Sequence, residues 1–203
     1  MSDTEKTPQA QPLRIAILGW GSLIGKPEPL KIVRGWQMGG PSLRIEFSRI
    51  SADGRLTLVI DQKYGSEVVT QYIESAHNEL EDAVCDLMIR EGAGRNDVGV
   101  CSRRAAEIRS CNHPEVIPPI CDWLLTSEFD AVIWTDLESN YRKKRSRDFA
   151  LDDALNYLNS LPPVCKAEAR RYINTAPEET QTKLRQFLRE KGFLTIEGHE
   201  HSD

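Results

Sequence analysis

The amino-acid sequence predicts an α+β fold with a mixed, mainly antiparallel sheet. From residue 14 to residue 73, short β-type runs alternate with turn signals, a pattern that predicts strands joined as an antiparallel meander rather than a parallel βαβ sheet. Beyond residue 75 apolar residues recur at helical spacing, and from residue 151 onward the pattern is mainly helical. These observations together favour one α+β domain.

Several segments have the pattern of β-strands. They are the aliphatic run Arg14 to Gly19, the alternating run Ser42 to Ile50, then Arg55 to Asp61, the β-branched run Val68 to Ile73, and Ala131 to Leu137. Asp53-Gly54 marks a tight turn between the second and third of these runs, which predicts a β-hairpin. Gln62 to Gly65 is the next turn signal.

The predicted helices follow the strands. They run from after Ser75 as far as Gly92, then over Cys121 to Leu125, Leu151 to Leu161, Lys166 to Asn174, and Glu178 to Lys191. Thr175 and Glu178 have the spacing of a capping box, with Pro177 in the first turn, so we expect the last helix to begin there. The pattern of Asn96 to Pro119 predicts no element.

The predicted organisation is a single domain over residues 14–195, between flexible tails at residues 1–13 and 196–203. The first tail is polar, contains two prolines and has no periodicity. Within the domain, we expect residues 14–137 to form the core and residues 150–192 the C-terminal helices. Neither a repeat nor a linker divides this segment.

Composition and charge limit the class of protein. The chain has 203 residues, 39% of them hydrophobic and 28% charged, so it can bury a sizeable core. Its longest aliphatic run, Ile15 to Leu18, is far shorter than the roughly 20 residues of a membrane span. Because the N-terminus also lacks the apolar region of a secretory signal, we expect a soluble, cytoplasmic protein. The net charge of −5 argues against a general nucleic-acid binder.

The cysteine content suggests neither disulfides nor a metal site. The five cysteines are an odd number, and the chain is long enough to fold without disulfide bonds, so we expect reduced, buried thiols. Cys101, Cys111 and Cys121 recur every ten residues, with His113 between the last two. This spacing is wider than that of structural zinc sites, so no metal is expected.

A glycine-rich loop, Gly19 to Lys26, follows the first strand directly. Backbone N–H groups of such a loop can bind an anion. It is not a Walker A loop, because Trp20 stands where a glycine is needed and Pro27 where Ser or Thr is needed. A dinucleotide fingerprint would need glycine at Ile24 and would open a helix, which the prolines after Lys26 would disrupt. The alternative is a tight turn that binds nothing.

Within this loop, Trp20-Gly21-Ser22-Leu23 resembles the loop motif of the γ-glutamylcyclotransferase-like superfamily, with Trp in place of the usual Tyr. The order of elements from Arg14 to Leu137 is also similar. The resemblance implies a small mixed β-barrel with flanking helices. It further implies intramolecular aminolysis of a γ-glutamyl amine or amino acid to 5-oxoproline, with no metal or organic cofactor. Glu91 would be the acid/base, and the substrate carboxylate would be bound by Gly19, Trp20, Gly21, Ser22 and Leu23.

The position of Glu91 is unusual even when the family resemblance is set aside. Leu80, Val84, Leu87 and Glu91 lie at i, i+4, i+7 and i+11, which places this carboxylate on the apolar face of its helix. Burial and the negative end of the helix dipole would both raise its pKa, as suits a general acid/base. The alternative is that the helix frays and Glu91 reaches solvent or pairs with Arg95.

Three further residues are candidates for the site. Glu46 and Glu74, on or beside strands, are the alternative carboxylates. Arg49 shares a face with Phe47 if the strand alternation holds, and could bind a substrate carboxylate or simply be paired at a barrel rim.

The sequence leaves three functions open. The first is the cyclotransferase, acting on a small molecule that carries a carboxylate. The second is a non-catalytic binding or interaction domain of the same fold. The third is a phosphate or RNA binder through Arg142 to Arg147, which holds five cations in six residues, although such a run is more typical of a solvated loop.

Overall fold

The computed structural model describes residues 11–194, which contain seven strands and seven α-helices. The strands are β1 (Ile15–Gly19), β2 (Gln37–Ile50), β3 (Leu56–Ile60), β4 (Ser66–Glu74), β5 (Val98–Ser102), β6 (Ile108–Arg109) and β7 (Ala131–Thr135). The helices are α1 (Ser22–Gly25), α2 (Leu80–Glu91), α3 (Ile117–Thr126), α4 (Tyr141–Arg145), α5 (Leu151–Ser160), α6 (Pro163–Asn174) and α7 (Lys183–Glu190). The α+β class is confirmed.

All seven strands of residues 11–194 join in one sheet of order β3-β2-β4-β1-β7-β5-β6. Only β1 and β7 pair in parallel within that range, so the mixed, mainly antiparallel character is confirmed. The predicted barrel is not confirmed, because β3 and β6 are the two edge strands of an open sheet and do not pair with each other. The simple meander is also wrong, because β4 pairs with β2 and β1 rather than with β3.

Strand β2 is longer than predicted and irregular at two places. Its register against β4 shifts between Met38 and Ser42, and its register against β3 shifts between Glu46 and Arg49. The second shift interrupts the expected alternation, and Phe47 and Ile50 consequently belong to the same apolar cluster. The predicted common face of Phe47 and Arg49 therefore does not follow from strand periodicity.

Strand β1 is buried on both faces, which explains its continuous aliphatic sequence. Ala16 and Leu18 contribute to the apolar cluster that α3, α5, α6 and α7 cover. Ile15 and Ile17 contribute to a second cluster on the opposite face, beneath α2. The C-terminal helices are thus part of the main core, since Leu158, Ile173, Leu184 and Leu188 are wholly buried in it.

Helix α2 ends where the sequence predicted. Gly92 follows its last residue with a φ of 59°, the left-handed conformation that closes many helices, and its amide donates to the carbonyl of Ile89. The apolar residues at helical spacing, Leu80, Val84 and Leu87, are buried.

Helix α7 begins at Lys183, so the predicted start at Glu178 is wrong. The N-cap is Thr182, whose hydroxyl accepts a hydrogen bond from the Arg185 amide at 3.2 Å. Thr175 caps nothing, because its hydroxyl donates back to the Arg171 carbonyl at 3.0 Å. The segment between α6 and α7 is instead irregular, and the buried Arg185 guanidinium donates to three of its carbonyls and to that of Asn174, the last residue of α6.

The cysteines differ from expectation. Cys101 on β5 and Cys121 on α3 form a disulfide, with Cα atoms 6.1 Å apart. Cys85 and Cys111 are exposed and Cys165 is half-buried, so the expectation of reduced, buried thiols is wrong. The packing of α3 on β5 brings together residues separated by 20 positions, which no local spacing reveals.

The predicted tails, residues 1–13 and 196–203, lie outside the described residues except for positions 11–13. Of these, Leu13 packs against the second cluster and donates its amide to the Asn78 carbonyl at 3.1 Å. Among the helices of residues 11–194, none combines the length and apolarity needed to cross a bilayer.

Candidate functional site

A cavity of about 380 Å³ opens beyond the ends of the central strands β1 and β7. Because β1 and β7 are parallel neighbours, their carboxyl ends meet there, beside the end of α2 and the β2–β3 turn. The lining includes all five loop candidates, together with Arg49 of β2 and Glu91 of α2. These are Gly19, Trp20, Gly21, Ser22, Leu23, Arg49 and Glu91.

The glycine loop keeps its shape by close packing around the single helical turn α1. A Cβ at Gly19 would lie 2.6 Å from the Trp36 ring, so only glycine fits. Trp20 itself is only 6% exposed and belongs mainly to the core. Its carbonyl accepts the buried Thr180 hydroxyl at 2.8 Å, which ties the loop to the segment before α7.

The exposed side of this loop presents hydrogen-bond donors. Gly21 is buried and precedes α1, whereas Ser22 is exposed. The first amides of a helical turn have no partner within it, and among residues 11–194 those of Gly21, Ser22 and Leu23 donate to no other acceptor. All three residues line the cavity, so their amides and the Ser22 hydroxyl, which neighbours Tyr172, are candidate donors to a ligand there.

Glu91 is the last residue of α2 and faces the cavity with 17% of its side chain exposed. Burial raises the pKa of this carboxyl, while the Arg90 guanidinium, 3.3 Å away, partly offsets the rise. The alternative pairing with Arg95 is wrong, because Arg95 contacts Glu81 instead. A half-buried carboxylate with a raised pKa is a better proton acceptor than an ordinary carboxylate, and it can return the proton to a leaving group.

Two arginines supply positive charge. Arg49 is fixed by donating from Nη1 to the Glu138 carbonyl at 2.8 Å, which leaves the rest of its guanidinium toward the cavity. Arg55, which the sequence analysis missed as a site residue, pairs with Asp53 at 2.7 Å and lies 5.1 Å above the Tyr172 ring. Its position directly after the Asp53-Gly54 turn could have suggested it, since a hairpin returns Arg55 to the edge where Arg49 lies.

Tyr172 and Asp97 also line the cavity, and neither was predicted. Tyr172 reaches the cavity from α6, packs edge-on against Phe47 with centroids 6.2 Å apart, and neighbours the Ser22 hydroxyl. Burial raises the pKa of this phenol, so it stays protonated as a donor. Asp97 accepts the Gly94 amide at 3.0 Å. Nothing in the local sequence around Tyr172 indicates this role.

The charges of the cavity balance. Its lining holds two cations, Arg49 and Arg55, and two carboxylates, Glu91 and Asp97. Such a lining suits a zwitterionic group, with a carboxylate toward the arginines and loop amides and an amine toward the carboxylates.

The alternative carboxylates lie elsewhere. Glu46 is wholly buried beneath α7, where it accepts the amides of Phe47 at 2.8 Å and Leu184 at 3.3 Å, and burial raises its pKa to about 7. Glu74 pairs with Arg14 at 2.9 Å at the start of β1, away from the cavity. Both have structural partners and neither lines the site.

The basic run forms α4 and the turn after it. Four of its five cations contact acceptors in the protein: Arg142 with Asp148, Lys144 with the Ile50 carbonyl, and Arg145 and Arg147 with Asp153. The side-chain oxygen Oδ1 of the adjoining Asn140 also accepts a hydrogen bond from the Ile50 backbone N–H at 2.7 Å. This region therefore anchors the chain just after Arg49, and the paired charges give no support to the RNA hypothesis.

Residues 11–194 contain no group of three or more metal-ligating side chains. The disulfide also engages two of the three regularly spaced cysteines that the sequence analysis considered as zinc ligands.

The comparisons with known proteins are sparse. No family model and no curated protein matches the sequence. The crystal structure of a γ-glutamyl cyclotransferase specific to glutathione, from yeast, is similar over 87% of this chain and 96% of its own, with 14% identity and a TM-score of 0.43. At this level the similarity identifies neither the family of this chain nor its activity.

Proposed function

We propose that the protein is a γ-glutamylcyclotransferase-like enzyme that releases 5-oxoproline from a γ-glutamyl amine or amino acid. The observation that carries the proposal is the meeting of Glu91 with the Gly21-Ser22 loop and two arginines in one cavity. A carboxylate with a raised pKa beside donors for a carboxylate is what an intramolecular aminolysis requires.

In this reaction, different residues of the cavity bind the substrate and transfer the proton. The loop amides and the arginine guanidinium groups bind the α-carboxylate of the glutamyl group, which directs its α-amine toward Glu91. The amine nitrogen attacks the side-chain carbonyl carbon, a new C–N bond closes the five-membered ring, and the bond to the leaving nitrogen breaks. Glu91 takes the proton that the attacking nitrogen loses and returns it to the leaving nitrogen.

The direct test is turnover by the purified wild-type chain. We expect 5-oxoproline to accumulate when the protein is given γ-glutamyl amino acids, γ-glutamylamines or glutathione, with release measured by chromatography against a boiled-protein control. If none of these substrates yields 5-oxoproline above background, the proposed enzyme is rejected. Binding of the same compounds without turnover would then favour the non-catalytic binding domain.

A second prediction concerns how the loop binds. A Cβ at Gly21 would lie 3.2 Å from the Leu58 side chain and 3.8 Å from the Tyr172 hydroxyl, so the methyl groups of Gly21→Val would crowd the carboxylate site. We expect this variant to lose at least about tenfold in affinity for 5-oxoproline by calorimetry. Ser22→Ala keeps the backbone amide and should change affinity by less than about threefold.

Both loop variants should keep the wild-type circular dichroism spectrum. The contact with Leu58 should lower the unfolding midpoint of Gly21→Val, so affinities are compared at a temperature where both variants are fully folded. Equal losses of affinity in the two variants would contradict the expectation, because they would assign the contact to the Ser22 hydroxyl rather than to the backbone.

A further inference from the structure

A second cavity, of about 440 Å³, adjoins the first. The two share a wall made by Gly21, Ser22, Arg55 and Tyr172. A substrate whose glutamyl head lies in the first cavity can therefore extend past the loop and the phenol into the second.

The charge of the second cavity differs from that of the first. Its lining holds four cations, Lys26, Arg55, Arg90 and Arg171, and no carboxylate. The first cavity, in contrast, balances two cations with two carboxylates. Three of the four cations have a carboxylate partner outside this lining: Arg55 with Asp53, Arg90 with Glu91, and Arg171 with Glu168. The charged groups that face the cavity itself are nevertheless all positive, which favours an anionic group over a neutral or cationic one.

Two of the four cations are held in place by the protein. Arg90 donates from Nε and Nη2 to the Lys26 carbonyl, at 3.0 and 2.8 Å, and is only 14% exposed. Arg55 is oriented by Asp53 and by the Tyr172 ring. These contacts fix the positions of two guanidinium groups before a ligand binds.

The other two cations, Lys26 and Arg171, are exposed and can reorient toward a ligand. Within residues 11–194, Lys26 contacts no carboxylate. Arg171 pairs with Glu168 at 2.6 Å, but 57% of its side chain is exposed, and such surface pairs along a helix are weak and readily exchanged. Both can turn toward an anion in the cavity.

We infer that the second cavity binds the leaving-amine portion of the substrate and selects one that carries carboxylates, two of them in preference to one. The inference rests on the proposed function, which sets the glutamyl head in the first cavity. An acidic γ-glutamyl dipeptide such as γ-glutamylglutamate places two carboxylates beyond the scissile bond. Each of them can meet a guanidinium group or the Lys26 ammonium.

The test compares three substrates that differ in charge beyond the scissile bond: γ-glutamylglutamate, γ-glutamylalanine and γ-glutamylbutylamine. We expect kcat/KM and affinity by calorimetry to fall in that order, by about tenfold between the first and the last. In the double variant Lys26→Gln/Arg171→Gln the preference should shrink to about threefold or less. It should also weaken in wild type as salt is raised.

Lys143→Gln is the matched control, because it removes an exposed positive charge of the basic run that lines neither cavity. This variant should keep the wild-type preference for γ-glutamylglutamate. Equal loss of preference in Lys143→Gln would assign the effect to overall charge and would overturn the inference.

The outcomes separate this inference from the proposed function. Turnover of all three substrates at equal kcat/KM would overturn the inference and leave the cyclotransferase standing. Tighter binding of γ-glutamylglutamate, lost in the double variant, but without 5-oxoproline, would support the anion-selective cavity and reject the reaction. Equal binding of all three without turnover would overturn both.

Discussion

The variant Glu91→Gln is expected to lose at least about 100-fold in kcat while it keeps the fold and the affinity for 5-oxoproline. Gln preserves the shape of the side chain but cannot carry a proton between the attacking and leaving nitrogens. Arg90 is the charged group of the described chain that contacts Glu91, and in the variant it keeps its two hydrogen bonds to the Lys26 carbonyl, so we expect the fold to tolerate the change. Single-turnover release of 5-oxoproline, with calorimetry of product binding, measures the two effects separately.

Asp82→Asn is the control for this variant, because Asp82 is exposed on the same helix and lies outside the cavity. It should retain wild-type turnover. If Glu91→Gln retains turnover as well, the proton carrier is a different group, and Asp97 is then the residue to test, since it is the other carboxylate of the lining.

Glu91 also predicts the pH dependence of the rate. Burial raises the pKa of its carboxyl, and only the ionised form can accept the proton of the attacking amine. The rate of wild type should therefore fall as pH drops through that raised pKa and reach a plateau above it, until another group titrates. A wild-type rate that rises as pH falls through this range would contradict the assignment of Glu91 as the base.

The variant Arg185→Leu is expected to lower the free energy of unfolding by about 3–5 kcal/mol, the largest stability effect foreseen for a single change in this chain. Arg185 is 3% exposed and donates to the carbonyls of Asn174, Ala176, Pro177 and Thr180, at 3.0, 2.7, 2.6 and 3.1 Å. Leucine fills part of the space but leaves these carbonyls without donors. Denaturant unfolding followed by circular dichroism measures the change.

Arg189→Leu is the matched control, because Arg189 lies one turn further along α7, is exposed, and donates to Gln181 at the surface. It should change stability by less than about 1 kcal/mol. Arg185→Leu should also speed hydrogen exchange over residues 174–182. Because Thr180 donates to the Trp20 carbonyl, the same variant should weaken product binding. Equal stability of the two variants would show that the four carbonyls find other partners.

Local pattern was sufficient where burial or turn chemistry shows in consecutive residues. The continuous aliphatic run of β1, the Asp53-Gly54 hairpin turn and the apolar periodicity of α2 were all predicted in this way. The same reasoning placed Glu91 on the buried side of α2, where it is found. Its role in proton transfer stays a prediction.

Features that depend on distant residues could not be predicted in this way. The start of α7 is decided by Arg185, which holds the carbonyls before it and overrides the capping box at Thr175. Tyr172 joins the cavity only because α6 packs across the sheet near β3. The Cys101–Cys121 disulfide and the anchoring of the basic run likewise depend on contacts between separate elements.

The sequence by itself determined the α+β class, the main strands and helices of the core, and the candidate loop and carboxylate, because apolar periodicity and glycine positions are local properties of the chain. Only the tertiary structure decided that the sheet is open, that two arginines and a tyrosine join Glu91, and that a second cavity whose charged lining residues are all cations adjoins them. The physical reason is that strand order and the convergence of charges depend on packing between residues far apart in sequence. A local sequence pattern does not show which distant residues pack against one another.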